Sequence, residues 1–443
     1  MLKNFLKVSA QHYLRSGPRF RRLLSQLQSN AAFSYEQLVE YQNEQLRISI
    51  HHAYNNIPYY RNLFDRLGLT PEDFHAIEDL KQLPLINRKE LYGREPAFVS
   101  KRRTIKYRKH TSGTTGTPLT LWRDLYNADF EQACQWRQWR WYGLDSSNRM
   151  VNMRGIFVAP VDRVEPPFWM YVPANKQLLL SSYHLSDALI PHYLEKLREF
   201  QPVAFKSMPS TIFRLAQFMQ LHGESPIPVK AVMTISEKLF KAEKETIERF
   251  FGPVFDSYGN AERAALIAMC EHRTYHYMMD YSIIEFIPRE DGLFEVVGTT
   301  LHNRAMPLIR YATGDLVAPG SGSCSCGRAF PVIKSIQGRR EDSVVTPSGR
   351  WLSAHLSMAF YRVPNVRKSQ IIQEEPDLLR VLVVPAEGFS TEEKKLIAQN
   401  LKKVIGNEMS IVIVEVAEIP LTKGGKHQFV VSKIALELSD ASV

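Results

Sequence analysis

The sequence predicts an α/β protein with a large N-terminal domain of mixed and parallel sheets and a small C-terminal α+β domain. Short apolar strands alternate with helices between residues 150 and 260, which is typical of βαβ units around a mainly parallel sheet. Residues 281–317 have the pattern of strands joined by turns. After Gly338 the pattern changes again, to strands that flank a single helix.

Helices are predicted where apolar residues recur at helical spacing and the run stops at a proline or a Gly-Pro pair. They cover residues 36–56, 126–142, 188–200, 210–222 and 238–251. The second of these helices carries Cys134 and an aromatic stripe, and such a stripe is more typical of a core than of a ligand pocket. The stripe consists of Phe130, Trp136, Trp139 and Tyr142.

The C-terminal part is predicted to form a separate small domain. Residues 368–386 give two strands separated by a Glu-Glu-Pro-Asp turn, residues 391–405 a helix, and residues 410–416 a strand. This unit of roughly one hundred residues lies within the usual size range of a domain. We place the boundary near 338–342, which gives domains of 1–337 and 338–443.

Length and composition exclude several classes of protein. With 443 residues, 44% hydrophobic and 23% charged, the chain is expected to be globular and to have more than one domain. It has no apolar run long enough for a membrane span, no signal-peptide core, and too few cysteines for a disulfide scaffold. We therefore expect a cytoplasmic protein.

The first 35 residues form a basic arm, because six cations precede the first acidic residue, Glu36. They are Lys3, Lys7, Arg15, Arg19, Arg21 and Arg22. One interpretation is a solvated, partly helical arm. The other is a surface that docks peripherally on an anionic membrane or on an acidic carrier protein. Nucleic acid is not an expected partner, because no recognition motif accompanies the charge.

A loop rich in glycine and hydroxyl side chains follows a basic segment of the chain. It reads Thr111-Ser112-Gly113-Thr114-Thr115-Gly116-Thr117-Pro118, and no acidic residue occurs between Glu95 and Asp124. Glycines allow several backbone N–H groups to face one anion, and hydroxyls add further donors. The pattern indicates a nucleotide-phosphate loop in a positive field, although a polar turn between two strands is an equally good interpretation of the loop alone.

Four further motifs follow the loop in order. The first, Asp256-Ser-Tyr258-Gly259-Asn-Ala-Glu262, comes directly after a predicted strand. The others are Arg310-Tyr-Ala-Thr-Gly-Asp315, Gly338-Arg339-Arg-Glu341-Asp342 and Pro420-Leu-Thr-Lys-Gly-Gly-Lys426. Each motif alone has an ordinary interpretation as a turn or a surface loop. Five motifs in this order are much more specific.

With these motifs the chain resembles the adenylate-forming superfamily of acyl-CoA synthetases. The likeness is greatest to phenylacetate–CoA ligases and to the CapK-type proteins of capsular polysaccharide gene clusters, and it covers nearly the whole chain, including residues 52–61. The resemblance implies an AMP-forming acid ligase in which ATP converts a carboxylic acid into an acyl-adenylate with release of pyrophosphate. A thiol, most often coenzyme A, then takes the acyl group.

Two alternatives remain beside the ligase of phenylacetate type. One is a CapK-type adenylating enzyme that passes its acyl group to an amino sugar or a carrier protein in surface polysaccharide biosynthesis. The other is a catalytically degenerate scaffold that only binds a nucleotide. Intact Glu262, Asp315 and Lys426 argue against the scaffold.

The resemblance also implies roles for particular residues. The nucleotide would be bound by Thr111, Ser112, Gly113, Thr114, Thr115, Gly116, Ser236, Glu237, Tyr258, Gly259, Glu262, Asp315, Arg339 and Lys426. Within this set the loop would hold the β- and γ-phosphates, Tyr258 would lie beside adenine, and Asp315 would accept hydrogen bonds from the ribose. Glu262 would bind Mg²⁺. The catalytic residues would be Lys426, Glu262, Thr111 and Arg339.

In this family the small C-terminal domain is mobile and rotates between the two half-reactions. Glu341 or Asp342 would be the hinge here, where relatives more often have two consecutive aspartates. Lys426 would meet the α-phosphate and the attacking carboxylate, although His-Gln-Phe follows it rather than the commoner basic residue. Neither difference removes a group that the chemistry needs.

Three cysteines and a histidine have the composition of a structural zinc site. Cys270, His276, Cys324 and Cys326 supply thiolate and imidazole ligands, which tetrahedral Zn²⁺ prefers. His272 is an alternative fourth ligand, and three reduced thiols without a metal are the alternative interpretation. For the acyl pocket the candidate lining residues are aromatic or sulfur-containing, and they could equally belong to the core. They are Phe157, Trp169, Met170, Tyr183 and Met208.

Overall fold

A computed structural model describes most of the chain. The described residues are 17–110, 119–154, 158–159, 163, 165–182, 184–290, 292–339, 344–347, 351–352, 356–360, 363–421 and 427–434. The helices, strands and contacts given below all lie within these ranges. None of the helices in these ranges is both long enough and apolar enough to cross a lipid bilayer.

The described chain is a mixed α/β structure. Its helices are α1 (Pro18–Asn30), α2 (Tyr35–Asn56), α3 (Pro58–Leu67), α4 (Arg88–Leu91), α5 (Leu125–Trp141), α6 (Ile190–Phe200), α7 (Pro209–Leu221), α8 (Lys241–Phe251) and α9 (Thr391–Ile405). The five helices predicted before residue 260 are all confirmed. The helix predicted over 391–405 is confirmed with the same ends.

Twenty strands accompany these helices. They are β1 (Lys106–His110), β2 (Thr120–Asp124), β3 (Met150–Met153), β4 (Trp169–Val172), β5 (Gln177–Leu180), β6 (Ala204–Ser207), β7 (Ala231–Ile235), β8 (Val254–Gly259), β9 (Leu266–Met269), β10 (Tyr275–Tyr277), β11 (Ser282–Pro288), β12 (Phe294–Thr300), β13 (Tyr311–Pro319), β14 (Val332–Arg339), β15 (Val344–Val345), β16 (Trp351–Leu352), β17 (Val366–Glu375), β18 (Leu378–Pro385), β19 (Ser410–Glu415) and β20 (Val430–Ser432).

One sheet of twelve strands organises the large domain. Its order is β11-β12-β13-β14-β10-β9-β8-β7-β6-β3-β5-β4. The neighbours β8, β7, β6, β3 and β5 are parallel, as the βαβ pattern predicts, and the strands from β11 to β9 pair antiparallel. Because parallel strands end at the same edge of a sheet, the loops after β3, β6, β7 and β8 lie side by side.

Helices cover both faces of the parallel strands. Side chains of α6, α7 and α8 pack on one face against Val151, Phe205, Val232 and Val254. On the other face, Trp139 of α5 belongs to a cluster with side chains of β3, β6, β7 and β8. This arrangement confirms that the aromatic side chains of α5 mainly belong to the core. Phe130, Trp139 and Tyr142 are buried, as is Cys134.

The described part of the basic arm is docked on the large domain. Helix α1 buries Phe20, Leu23, Leu24 and Leu27 in a cluster with α5 and the sheet, and Arg19 forms an ion pair with Asp129. A solvated arm is therefore wrong for residues 18–30, because their apolar face is covered by the protein itself. Residues 1–16 lie outside the described ranges.

The C-terminal segment builds a second sheet of order β19-β18-β17-β20, on which α9 packs around a core of its own. It contacts the large domain at several points. Gln217 donates a hydrogen bond of 2.7 Å to the carbonyl oxygen of Val366, and the Arg367 and Asp187 side chains approach to 3.1 Å. The boundary between residues 337 and 338 stays a prediction.

A buried ion pair joins α5 to the segment that precedes β11. The side chains of Arg137 and Asp280 are 1% and 0% exposed and make a direct contact, and Asn30 of α1 donates to the same carboxylate at 3.3 Å. Because three segments meet at this carboxylate, the pair fixes α1 and α5 against the sheet.

We expect Asp280→Ala to lower the free energy of unfolding of the large domain by about 3–5 kcal/mol, because it leaves the buried Arg137 without its anion. Lys196→Ala, which removes an exposed i,i+3 pair with Glu199, is the matched control and should cost less than about 1 kcal/mol. Urea unfolding followed by tryptophan fluorescence measures both values. Equal losses in the two variants would contradict the role given to the buried pair.

Candidate active site

Tyr258 and Asp315 meet although three strands separate β8 from β13 in the sheet. The Tyr258 hydroxyl donates a hydrogen bond of 2.6 Å to Asp315 Oδ2. Asp315 is buried, and its own N–H donates to Thr313 Oγ1 at 3.1 Å. Three intervening strands at about 4.8 Å each would keep these residues apart in a flat sheet, so the sheet must curve strongly here.

Glu262 lies close to this pair, in the turn between β8 and β9. Its side chain is 6% exposed, and Tyr311 of β13 donates a hydrogen bond of 3.1 Å to Glu262 Oε1. Gly259, the last residue of β8, is exposed. The residues predicted from the two motifs around Tyr258 and Asp315 therefore lie together at one end of the sheet.

Ser236 and Glu237 follow β7, the neighbour of β8. Ser236 is exposed and has a φ of 80°, a left-handed conformation that is uncommon for a residue with a side chain. Glu237 Oε2 accepts a hydrogen bond of 3.1 Å from the N–H of Ser210 in the first turn of α7. Glu237 Oε1 accepts one of 3.0 Å from the N–H of His427. This carboxylate thus connects the sheet edge with the residue that directly follows Lys426.

Arg339 is the last residue of β14, where its backbone pairs with Asp315 across the β13–β14 register. This pairing places the two motifs next to each other in the backbone. Three predicted parts of the site lie outside the described residues: the phosphate loop Thr111–Gly116, Lys426, and the hinge residues Glu341 and Asp342. Their roles stay predictions from the sequence.

Cys270, His276, Cys324 and Cys326 form one cluster, in which one ligand atom from each residue lies within 4.8 Å of the others. The Cys270 and Cys324 sulfur atoms are 3.7 Å apart, and Cys326 Sγ lies 3.5 Å from His276 Nε2. The alternative ligand His272 is exposed and is not part of this cluster. Strand pairing explains the cluster, since β10 lies between β9 and β14 and brings the loops that flank them together.

Surrounding hydrogen bonds fix the orientation of the cluster. His276 Nδ1 lies 2.8 Å from the carbonyl oxygen of Phe330, so Nδ1 carries the proton and Nε2 faces the sulfur atoms with its lone pair. Burial raises the pKa of Cys324, but hydrogen bonds from the Thr274 side chain and the Cys326 backbone outweigh this effect and lower it to about 6. Arg328 and Glu271 form a bidentate pair at 2.7 and 3.0 Å beside the cluster.

A set of polar side chains that was not predicted from the sequence lies between α5 and the parallel strands. This polar layer consists of Glu131, Gln135, Asn152, Arg154 and Lys206. Lys206 is 7% exposed although it lies in the middle of β6. The sequence does contain one indication of this layer, the lysine in the apolar run Val-Ala-Phe-Lys206-Ser, because a short buried strand seldom contains a cation.

Three of the five residues predicted to line an acyl pocket lie among the described residues. Trp169 lies on the edge strand β4 and packs against Tyr193 of α6, with ring centroids 6.1 Å apart. It belongs to the core on the face opposite α5, and Met170 packs in a small separate cluster. Met208 is buried after β6, whereas Phe157 and Tyr183 lie outside the described residues.

Comparisons with known proteins cover almost the whole chain. Residues 344–433 match the family model of the CapK C-terminal domain. Protein CapK of Staphylococcus aureus is 24% identical over 410 residues, which is 90% of each chain. The phenylacetate-coenzyme A ligase of Thermus thermophilus is 22% identical over 444 residues, covering 88% of this chain and 95% of the relative.

Solved structures agree with this fold. A 2-hydroxyisobutyryl-CoA ligase in its postadenylation state superposes with a TM-score of 0.71 at 17% identity and covers 93% of each chain. The mixed sheet and the smaller C-terminal sheet are thus those of this fold. The chain is a homologue of CapK and of the phenylacetate–CoA ligases, and it has the fold of the adenylate-forming CoA ligases.

Proposed function

We propose that this protein activates a carboxylic acid with ATP as an acyl-adenylate, releases pyrophosphate, and transfers the acyl group to coenzyme A. The observation that carries the proposal is the convergence of Tyr258, Asp315 and Glu262 at one end of the sheet. A buried carboxylate on a short hydrogen bond is suited to bind the two hydroxyls of a ribose. Tyr258 would present its ring to the adenine while its hydroxyl holds Asp315 in place.

Glu262 fits a magnesium ion, because a buried carboxylate oxygen is the type of ligand that Mg²⁺ prefers. The ion would neutralise phosphate charge, and the Tyr311 hydroxyl would orient the carboxylate that holds it. Thr111–Gly116 would donate to the β- and γ-phosphates. Arg339, paired in the backbone with Asp315, would extend toward the ribose or the phosphate.

Lys426 would stabilise the negative charge that develops when the acid carboxylate attacks the α-phosphorus. The contact between Glu237 and the N–H of His427 supports this role. It holds the chain just after Lys426 against the loop that follows β7, beside the strand that carries Tyr258. The ammonium group is a mobile point charge and can leave with the C-terminal domain, with Glu341 or Asp342 as its hinge.

The match of residues 344–433 to the CapK C-terminal domain favours a second candidate function. In this candidate the same adenylate is passed to an amino sugar or to a carrier protein in surface polysaccharide biosynthesis. The first half-reaction is identical, so the two candidates differ only in the acceptor. Thioester formation that depends on added coenzyme A would favour the ligase, and its absence after efficient adenylate formation would favour the second candidate.

Acid-dependent exchange of pyrophosphate into ATP tests the proposed function directly. We expect exchange with at least one member of a broad acid panel. Asp315→Ala should lower its rate by about 10- to 100-fold and raise the KM for ATP, because charge-assisted hydrogen bonds to the ribose are lost. Asp377→Ala, in the exposed turn between β17 and β18, is the matched control and should leave the rate unchanged. A folded protein that gives no exchange with any acid would favour the nucleotide-binding scaffold.

Lys426→Ala should suppress adenylate formation by roughly 100-fold or more, the usual cost of losing one group that stabilises a transition-state charge. Thioester formation from a preformed adenylate should fall much less, because the thiol attacks the acyl carbon, AMP is the leaving group, and the lysine has withdrawn. Lys423→Ala, in the same glycine-rich loop, is the control. Equal losses in both half-reactions would contradict the role of Lys426.

We also propose that Cys270, His276, Cys324 and Cys326 hold a structural zinc ion. In a tetrahedron with Zn–S of about 2.3 Å and Zn–N of about 2.0 Å, sulfur atoms are about 3.8 Å apart and sulfur and nitrogen about 3.5 Å. The cluster has 3.7 Å between Cys270 and Cys324 and 3.5 Å between Cys326 and His276. The backbone carbonyl that accepts from His276 Nδ1 is the usual outer partner of a zinc-bound imidazole.

Purified protein should contain about one equivalent of zinc. Cys326→Ser should lower the zinc content below about half an equivalent and lower the Tm, because three ligands bind the ion less tightly than four and the loops before β10 and β14 lose their link. His272→Ala is the control and should retain both the zinc and the Tm. A metal content below half an equivalent in the unmodified protein would contradict the site.

A further inference from the structure

The carboxyl ends of β3 and β6 carry cations that none of the roles above uses. Arg154 directly follows β3, and Lys206 is the third residue of β6. Asn152 and Lys206 are register partners in these two parallel strands. Asn152 Oδ1 also accepts a hydrogen bond of 3.2 Å from Arg154 Nε. Both cations therefore belong to the polar layer on the α5 face of the sheet.

Glu131, the carboxylate of the polar layer, is already bonded to other residues. Glu131 accepts hydrogen bonds from the Tyr281 hydroxyl at 2.6 Å and from Gln135 at 3.1 Å, and it lies 3.7 Å from Arg263 Nε. The Lys206 ammonium donates to the Gln135 amide oxygen and lies 4.5 Å from the centroid of the Trp139 ring. Glu131 is thus held by Tyr281 and Arg263.

Arg154 lacks a bonded anion among the described residues. Its side chain makes the hydrogen bond to Asn152 and no ion pair there, and Glu131 acts on it only through space. Burial lowers the pKa of Arg154 to about 10, which leaves it charged at neutral pH. A half-buried cation is unfavourable unless an anion compensates its lost hydration, so Arg154 in this position lowers the stability of the protein unless an anion binds it.

Strand order puts these cations beside the proposed adenylate. Going along the sheet edge from Tyr258 in β8, the neighbours are β7, then β6, then β3. Neighbouring strands are about 4.8 Å apart, so the end of β3 lies roughly 10 Å from the end of β7. On the α5 face of this edge, Lys206 and then Arg154 follow in the direction away from Tyr258.

We propose that the acid activated by this protein carries a second anionic group, such as a second carboxylate, which Arg154 and Lys206 bind at the β3 end of this edge. The inference rests on the proposed function, since it takes the adenylate to form at the ends of β7 and β8. A guanidinium can bind such a group through two parallel hydrogen bonds, and the ammonium adds a point charge. A purely apolar acid would leave Arg154 desolvated without an anion.

The test is pyrophosphate exchange with matched pairs of acids that differ in one remote anionic group. Suitable pairs are butyrate and succinate, hexanoate and adipate, and phenylacetate and 4-carboxyphenylacetate. In at least one pair the dianionic member should have a kcat/KM at least about tenfold higher, the effect of one charge-assisted hydrogen bond. In Arg154→Gln and Lys206→Gln, the two members of the pair should have about equal kcat/KM values, and the KM for ATP should be unchanged.

The control variant is Arg149→Gln, at the opposite end of β3, where the exposed side chain donates to the Gln201 carbonyl oxygen. It should keep the preference for the dianionic acid. The proposal is overturned if the monoanionic member is preferred in every pair. It is also overturned if Arg154→Gln lowers both members of a pair equally, because Arg154 would then serve ATP or the reacting carboxylate.

A binding measurement separates this inference from the proposed function. The dianionic acids should raise the Tm of the unmodified protein and of Arg149→Gln, but not that of Arg154→Gln. If no acid supports exchange while this pattern of stabilisation is observed, the proposed function fails and the anion site stands. If exchange occurs and no dianionic acid stabilises the protein or is preferred, the anion site fails and the proposed function stands.

Discussion

The common direction of β3, β6, β7 and β8 is the constraint on which the candidate site depends. Parallel strands end at one edge, so the residues that follow them are neighbours whatever their separation in sequence. Glu237 and Tyr258 lie at the part of this edge that we propose binds the nucleotide, and Arg154 lies at the other end of the edge. The curvature of the sheet then adds Asp315, which lies far from β8 in strand order but only 2.6 Å from the Tyr258 hydroxyl.

Charge is arranged unevenly along this framework. Buried ions that hold the fold together are paired within the protein, as Arg137 is with Asp280. At the carboxyl edge, in contrast, cations and hydrogen-bond donors outnumber the anions among the described residues of the polar layer. A half-buried cation that has no bonded anion among the described residues opposes folding, so the presence of Arg154 at this edge is better explained by a ligand than by stability.

The helices and the cysteine–histidine cluster could be predicted from the sequence. Helix bounds followed from apolar spacing and proline stops, and the cysteine–histidine cluster followed from ligand chemistry, with His276 rather than His272 as its imidazole. The docking of α1 could not be predicted, because the surface that covers its apolar face comes from α5 and the distant strands. Arg154 was missed for the same reason, since its surroundings depend on how α5 lies across the sheet.

We propose that an acyl-adenylate forms at the carboxyl edge of the parallel strands. Acid-dependent exchange of labelled pyrophosphate into ATP measures this step without any assumption about the acceptor. We expect exchange that requires Mg²⁺, depends on the acid supplied, and falls sharply in Asp315→Ala but not in Asp377→Ala. Adenylate formation at this edge is ruled out if exchange is absent with every acid in a folded protein, or if the two variants exchange at equal rates.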